Sequence, residues 1–145
     1  MEKLNLLQVQ KVYFDFLKEA GYNPKVDESN DDDEGDLLFE HEETTFRIGI
    51  DDDDLDFFEL GYVCDLDCEV ETEEEQNKLY RIASETTQVV KYAKVSLLIE
   101  EKVLLWITVE RIMDQQNDIN KYFKRMFESI QEAIEYFMEK FDGKE

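Results

Sequence analysis

The sequence predicts an α+β fold, an antiparallel sheet of five strands with helices packed mainly on one face, in the order α-β-β-β-α-β-β-α. Three observations carry this. Apolar residues recur at helical spacing at the start, in the middle and at the end of the chain. The stretches between alternate apolar and polar residues with a period of two. Neighbouring strand-like stretches read as hairpins rather than as crossover units.

Residues 3–20 read as the first helix, with Leu6, Val9, Tyr13, Phe16, Leu17 and Ala20 on one stripe. Gly21 stands where a C-terminal glycine ends a helix, and Pro24 follows. Residues 26–36 form an acidic connector. Residues 37–51 read as a hairpin whose two-residue turn, Glu42-Glu43, pairs Phe39 with Phe46 and Leu37 with Ile48. The turn residues are not the Asn-Gly type such turns favour, so the alternation alone supports the pairing. Asp51 to Asp54 is the next loop.

The third strand is predicted from Phe58 to Glu71. Phe58, Leu60, Tyr62, Cys64, Leu66, Cys68 and Val70 share one face, and Glu59, Gly61, Val63, Asp65, Asp67, Glu69 and Glu71 share the other. Thr72 with Glu75 three residues on makes a capping-box start for the second helix, and Glu73 and Glu74 suit its positive end. Leu79, Ile82, Ala83, Thr86, Val89, Val90 and Ala93 form its stripe. Residues 94–113 read as a second hairpin around Glu100-Glu101-Lys102, which aligns Val95, Leu97 and Ile99 with Val103, Leu105, Ile107 and Val109. The opposite face then carries Leu98, Leu104 and Trp106, three large apolar residues that need a cover. A partner subunit is one candidate. The last helix, from about Asn117 to Phe141, has a wide stripe that includes Phe123, Phe127, Ile130 and Phe137. No internal repeat or interdomain linker is visible, so residues 1–145 read as a single domain.

Composition narrows the function. The chain has 38 acidic and 16 basic residues, a net charge of −22 and a pI near 4.2. All of that charge lies in residues 26–77, which hold 23 Asp and Glu against one base, Arg47. Nucleic acid and anionic membranes are disfavoured as ligands, because both need clustered Lys and Arg. A basic protein partner is favoured. The N-terminus lacks the pattern of a signal peptide, and the longest apolar-rich run, residues 103–109, is too short to span a bilayer, so a cytoplasmic location is expected. Cys64 and Cys68, four apart in one predicted strand, are separated by about 13 Å at ~3.3 Å per residue. That is too far for a disulfide, and both read as small buried hydrophobes.

A search for chemistry returns little. The five glycines are never within 11 residues of one another, which excludes both a dinucleotide fingerprint and a phosphate-binding P-loop. There is one histidine, His41, expected near the first hairpin turn in an ordinary exposed or half-buried role. No usual zinc spacing and no nucleophile elbow are present. No residue is a catalytic candidate, and no cofactor is implied. The run Asp31-Asp32-Asp33-Glu34-Gly35-Asp36 fails the calcium-loop spacing, because position twelve falls on His41 where a glutamate is required. Asp51, Asp52, Asp53 and Asp54 are the remaining candidates for a hard cation. The row Glu59, Asp65, Asp67, Glu69 and Glu71 presents carboxylates about 6.6 Å apart on alternate residues, a spacing that suits mimicry of DNA phosphates towards a basic DNA-binding protein.

The element order resembles the type III secretion chaperone-like fold and, within it, the YbjN-like proteins. The resemblance rests on a helix ending at Gly21-Tyr22, on Gly35-Asp36-Leu37-Leu38-Phe39-Glu40 paired with Phe46-Arg47-Ile48-Gly49-Ile50-Asp51, and on the Asn77-Lys78-Leu79 helix start leading into Lys94-Val95-Ser96-Leu97. It implies a small, acidic, non-enzymatic protein, usually dimeric, acting through protein contacts. Secretion chaperones of this fold bind extended client segments, and YbjN-like proteins are described as sensory transduction regulators. The reading that follows is a cytoplasmic protein-binding module, chaperone-like or regulatory, working as a homodimer with an acidic surface. Leu98, Leu104, Trp106, Glu59, Asp65, Asp67 and Glu69 are its candidate contact residues. A nucleic-acid mimic and a divalent-cation binder are the alternatives.

Overall fold

The computed structural model describes residues 3–143. In chain order the elements are α1 (Leu6–Glu19), β1 (Lys25–Val26), β2 (Leu37–His41), β3 (Thr44–Asp51), β4 (Asp54–Asp65), α2 (Glu73–Val89), β5 (Ala93–Ile99), β6 (Val103–Ile112), a 3-10 turn (Gln116–Asp118) and α3 (Ile119–Phe141). The strands form a six-stranded antiparallel sheet in the order β1-β2-β3-β4-β6-β5. The sixth strand, β1, lies in what reads as a polar connector. It pairs Lys25 with Leu38 and Val26 with Leu37, held by polar bonds rather than by an apolar pattern. Asp27 N donates to Asp36 O, and the Asn30 amide bonds both the N–H and the C=O of Asp36.

The chain packs as two compact units. One contains the residues up to Gly61 together with Glu110–Lys124, the other Tyr62–Val109 together with the chain from Arg125.

In the first unit, Asn5 caps α1 through a reciprocal box with Gln8, both bonds 2.9 Å. The helix buries Val9, Tyr13 and Leu17. It ends at Gly21, whose φ of +97° lets Tyr22 N reach Leu17 O. The β2–β3 hairpin has the expected register, Leu37 opposite Ile48 and Phe39 opposite Phe46. Its turn residues Glu42 and Glu43 sit at φ 51° and 68°, the left-handed pair that a two-residue hairpin turn demands. The core is aromatic. Tyr13 meets Phe58 edge-on at 5.1 Å, Phe16 meets Phe123 edge-on at 5.1 Å, and Phe39 stacks on Phe46 at 5.6 Å. Tyr13, Phe39, Phe46 and Phe58 are at most 2% exposed, and burying such a side chain contributes roughly 2–3 kcal/mol.

In the second unit, β4 ends at Asp65, six residues earlier than the alternation predicts. Asp67 takes φ 51°, and Asp65 Oδ1 accepts its N–H at 2.9 Å, so an Asx turn replaces the strand. Cys68 therefore lies beyond the strand, and the spacing argument against a disulfide no longer applies. Both cysteines are free thiols, and both are half-buried rather than core residues. Thr72 Oγ1 accepts from Glu75 N to cap α2, which buries Leu79, Ile82, Ala83 and Thr86. Val89, placed on the apolar stripe by its spacing, is exposed. The helix ends at Val90, whose extended backbone turns that side chain inward instead. The β5–β6 hairpin has the expected register, with Val95 opposite Ile107, Leu97 opposite Leu105 and Ile99 opposite Val103. From α3 this unit buries Met126, Phe127, Ile130, Ala133 and Phe137.

Candidate functional site

The second hairpin places the predicted apolar patch on the outer face of the sheet. Leu98 lies opposite Leu104, and Trp106 lies opposite Ser96. Leu98 is 48% exposed and Trp106 51%, while the core-facing Val103, Leu105 and Ile107 of the same strand are at most 2% exposed. Leu104 is half-buried. One further member was missed. Val63, 51% exposed, faces outward on β4, which neighbours β6. Leu66 N donates to Val103 O at 2.9 Å, and counting back along both strands from that bond brings Val63 opposite Trp106. The signal was available in the sequence, since Val63 is the one large apolar residue in an otherwise acidic row. Isolated exposed apolar residues need no explanation, but a contiguous patch does.

The acidic row is not the face that alternation predicts. Glu59 and Asp65 belong to β4, whereas Asp67, Glu69 and Glu71 lie past its end. Glu59 is half-buried and folds its carboxylate over Gly49 on the neighbouring strand, where a Cβ would stand 3.4 Å from Oε1. The even spacing of five carboxylates along one strand, on which phosphate mimicry rested, is therefore absent.

The structure gathers other acids instead, all in the first unit. Gly35 N donates to Ile50 O and Asp52 N to Asp33 O, which joins the connector to the loop after β3. Carboxylate oxygens of Asp33, Asp51 and Asp53 then lie within 4.8 Å of one another, as do those of Asp31, Asp33 and Glu34. Of the four-aspartate run, Asp51 and Asp53 enter these clusters, and Asp52 and Asp54 do not. Beside them is a cavity of about 600 Å³ lined by Asp52, Asp53, Asp54, Asp56 and Asp114, with Lys3 as its cation. Lys3 Nζ is 3.8 Å from Asp56. Such a concave acidic surface accumulates positive charge and suits the head of a lysine or arginine side chain.

Arg47, the one base of the acidic third, is committed elsewhere. Its two terminal nitrogens meet Asp27 Oδ2 at 2.7 Å and Asp36 Oδ2 at 2.9 Å. Both carboxylates are nearly buried. Asp36 Oδ1 also accepts from Ile50 N at 2.8 Å, and Asp27 Oδ1 accepts the N–H and the hydroxyl of Ser29. Those two bonds, with Arg47 beside it, hold the Asp27 carboxyl below the usual range against partial desolvation. His41 ends β2 with its ring edge-on to Tyr22 at 5.9 Å. Burial, with Asp65, Asp67 and Glu75 nearby, pushes the Cys68 thiol up.

The fold and these surfaces define a small, strongly acidic α+β protein that presents an apolar sheet face. No protein-family model matches the chain, and no curated protein matches it. Among solved structures it is similar to YbjN from E. coli, a proposed transcription regulator, with a TM-score of 0.60 and 11% identity over 92% of each chain. It is also similar to an uncharacterized protein from Methanothermobacter thermautotrophicus, with a TM-score of 0.62 and 13% identity over 92% of this chain and 99% of that one. At such identities the likeness is one of fold, and the chain has a YbjN-like fold. Among the described residues no helix is long and apolar enough to cross a membrane.

Proposed function

We propose that this chain is a non-enzymatic, cytoplasmic protein-binding module of regulatory type that works as a homodimer. The observation that carries the reading is the outer-face patch of Val63, Leu98, Leu104 and Trp106. Trp106 is the residue type that most often anchors an interface. A second copy suits this face on electrostatic grounds. The hairpin that bears most of it lies outside residues 26–77, in the part of the chain whose charges sum to zero. Two chains of charge −22 can approach there at the least cost. The acidic clusters and the cavity beside them remain free for a basic protein partner. The YbjN likeness supports a regulatory role. Mass in solution, measured for the wild type and for Trp106→Glu, is the test. A dimer that dissociates in the variant is the expected result, and a monomeric wild type with an unchanged variant overturns the homodimer.

A second reading is favoured by one observation. The fold brings Asp33 to Asp51 and Asp53, a set of hard oxygen donors that calcium or magnesium would accept. Calorimetry with either ion decides it, and absence of heat at millimolar ion removes it.

A further inference from the structure

The acidic cavity of the first unit is built from three short stretches, Lys3 with Leu4, residues 52–56 and residues 114–117, all within that unit. The last two are tied together. Met113 N donates to Asp56 O at 2.6 Å, and Gln116 Nε2 donates to Leu55 O at 3.1 Å. At about 600 Å³ the space falls in the range of small-molecule sites. Its carboxylates are spread rather than gathered. Among the described residues, Asp53 is the one acid of this lining that belongs to a group close enough to share an ion. Leu4 and Leu55, both half-buried, add apolar surface to the same lining.

A second feature lies in the core beside Asp56. Tyr13 is 1% exposed, and its hydroxyl is buried with no hydrogen-bond partner. Such an unmet group costs stability and calls for an explanation. Its ring meets Phe58 edge-on, and Asp56 lies on the same face of β4 as Phe58, two residues nearer the start of the strand. Burial, with the Asp56 carboxylate nearby, pushes the phenol up. The hydroxyl is therefore aimed at the wall that Asp56 forms. Lys3 stands at that wall. Its Nζ is 3.8 Å from Asp56, beyond hydrogen-bond distance, on a side chain 89% exposed.

We propose that this cavity binds a linear polyamine, an alkyl chain with several ammonium groups, one of which displaces Lys3 from Asp56 and gives the Tyr13 hydroxyl a partner. The spaced carboxylates take the ammonium groups, and the two leucines take methylenes. An ammonium has three donors, so it serves Asp56 and the phenol oxygen together. Lys3 is the chain's own alkylammonium, loosely held, and competes for the same place. The site goes beyond the protein-binding reading and does not depend on the homodimer. Lysine side chains of a basic protein carry the same group, so the test separates the two sources.

Calorimetry of the full chain at about 0.15 M NaCl compares three probes: spermidine, hexaamminecobalt(III), which is a compact cation of the same charge, and oligolysine. Spermidine should bind one to one and about tenfold tighter than hexaamminecobalt, because its length matches spread carboxylates. Tyr13→Phe changes no charge and removes a hydroxyl that has no partner. It should keep at least the wild-type urea midpoint and weaken spermidine binding about fivefold. Lys3→Ala should tighten it about threefold, whereas Lys18→Ala, an equal change of charge outside the lining, should not. Asp114→Asn should weaken it about fivefold, and Glu139→Gln on α3 should not. Hexaamminecobalt binding as tightly as spermidine, a Tyr13→Phe variant that binds like wild type, or equal effects from lining and remote variants would overturn the site and leave only a general field of negative charge. Oligolysine binding without spermidine binding overturns the polyamine and leaves the basic-partner reading standing. Absence of heat with either overturns both.

Discussion

At the scale of single residues, the acidic third is held together by its one exception. Arg47 has no base near it in sequence, and it bridges two nearly buried carboxylates that are otherwise supported by Ser29, Asn30 and the Ile50 amide. Removing it strands Asp27 and Asp36. Arg47→Ala should cost about 2–3 kcal/mol in urea unfolding, less than for a fully buried triad because the guanidinium is partly exposed. Arg47→Lys should recover only part of that, since an ammonium lacks the planar fork that reaches both partners. Asp27 adds a pH signature. Its folded pKa is lowered, so its contribution is full above the unfolded value of about 3.9 and is lost as pH falls through the folded value. Asp27→Asn should therefore be less stable than wild type at pH 7, and the gap should close below about pH 4. Sequence showed that Arg47 was alone among acids. It did not show which acids it joins, because Asp27 and Asp36 lie 20 and 11 positions away and meet it only after β1 and β3 have formed.

At the scale of elements, period-two alternation was a reliable guide wherever two strands faced each other across a turn. Both hairpins have the register that the apolar positions dictate. Alternation failed where nothing opposed it. Leu66 still bonds Val103 O and is buried, but Cys68 and Val70 continue the pattern where the Asx turn at Asp65–Asp67 has already ended β4. The opposite failure is β1, a strand with no alternation, created by polar bonds around Asp36. The β2–β3 turn shows how far pattern can override local chemistry. Glu42 and Glu43 both occupy left-handed φ, which costs a residue with a side chain about 1 kcal/mol or more, and they set two like charges side by side. Replacing them with Asn-Gly should stabilise the protein by about 1–2 kcal/mol, read as a higher urea midpoint at unchanged slope. A loss of stability would mean that the turn is held in place by contacts of the glutamates themselves.

For the whole molecule the dominant fact is that a charge of −22 is confined to residues 26–77 while the remaining chain is neutral. The sequence made that division plain. It did not show that the fold would draw Asp33, Asp51 and Asp53 together, since the bonds that join their two loops are between backbone groups and leave no mark on composition. Crowding of these carboxylates opposes folding, so added salt should stabilise the monomer. A rise of about 1 kcal/mol between 0.1 M and 1 M NaCl, where the Debye length falls from about 10 Å to about 3 Å, corresponds to an increase of several degrees in the thermal midpoint. The two proposed interactions respond to the same change with opposite sign. Two copies carry like charge, so screening should tighten the homodimer. A basic partner is drawn to the acidic clusters, so screening should weaken its binding, and an oligolysine peptide is a sufficient probe. Asp51→Asn with Asp53→Asn should flatten the salt dependence of peptide binding. Salt also strengthens apolar contact, so a tighter dimer alone does not establish that repulsion was relieved. The deciding measurement is the slope in the Asn variant. If the dimer then responds to salt as steeply as wild type, the acidic third has no part in setting its affinity, and the two surfaces act independently.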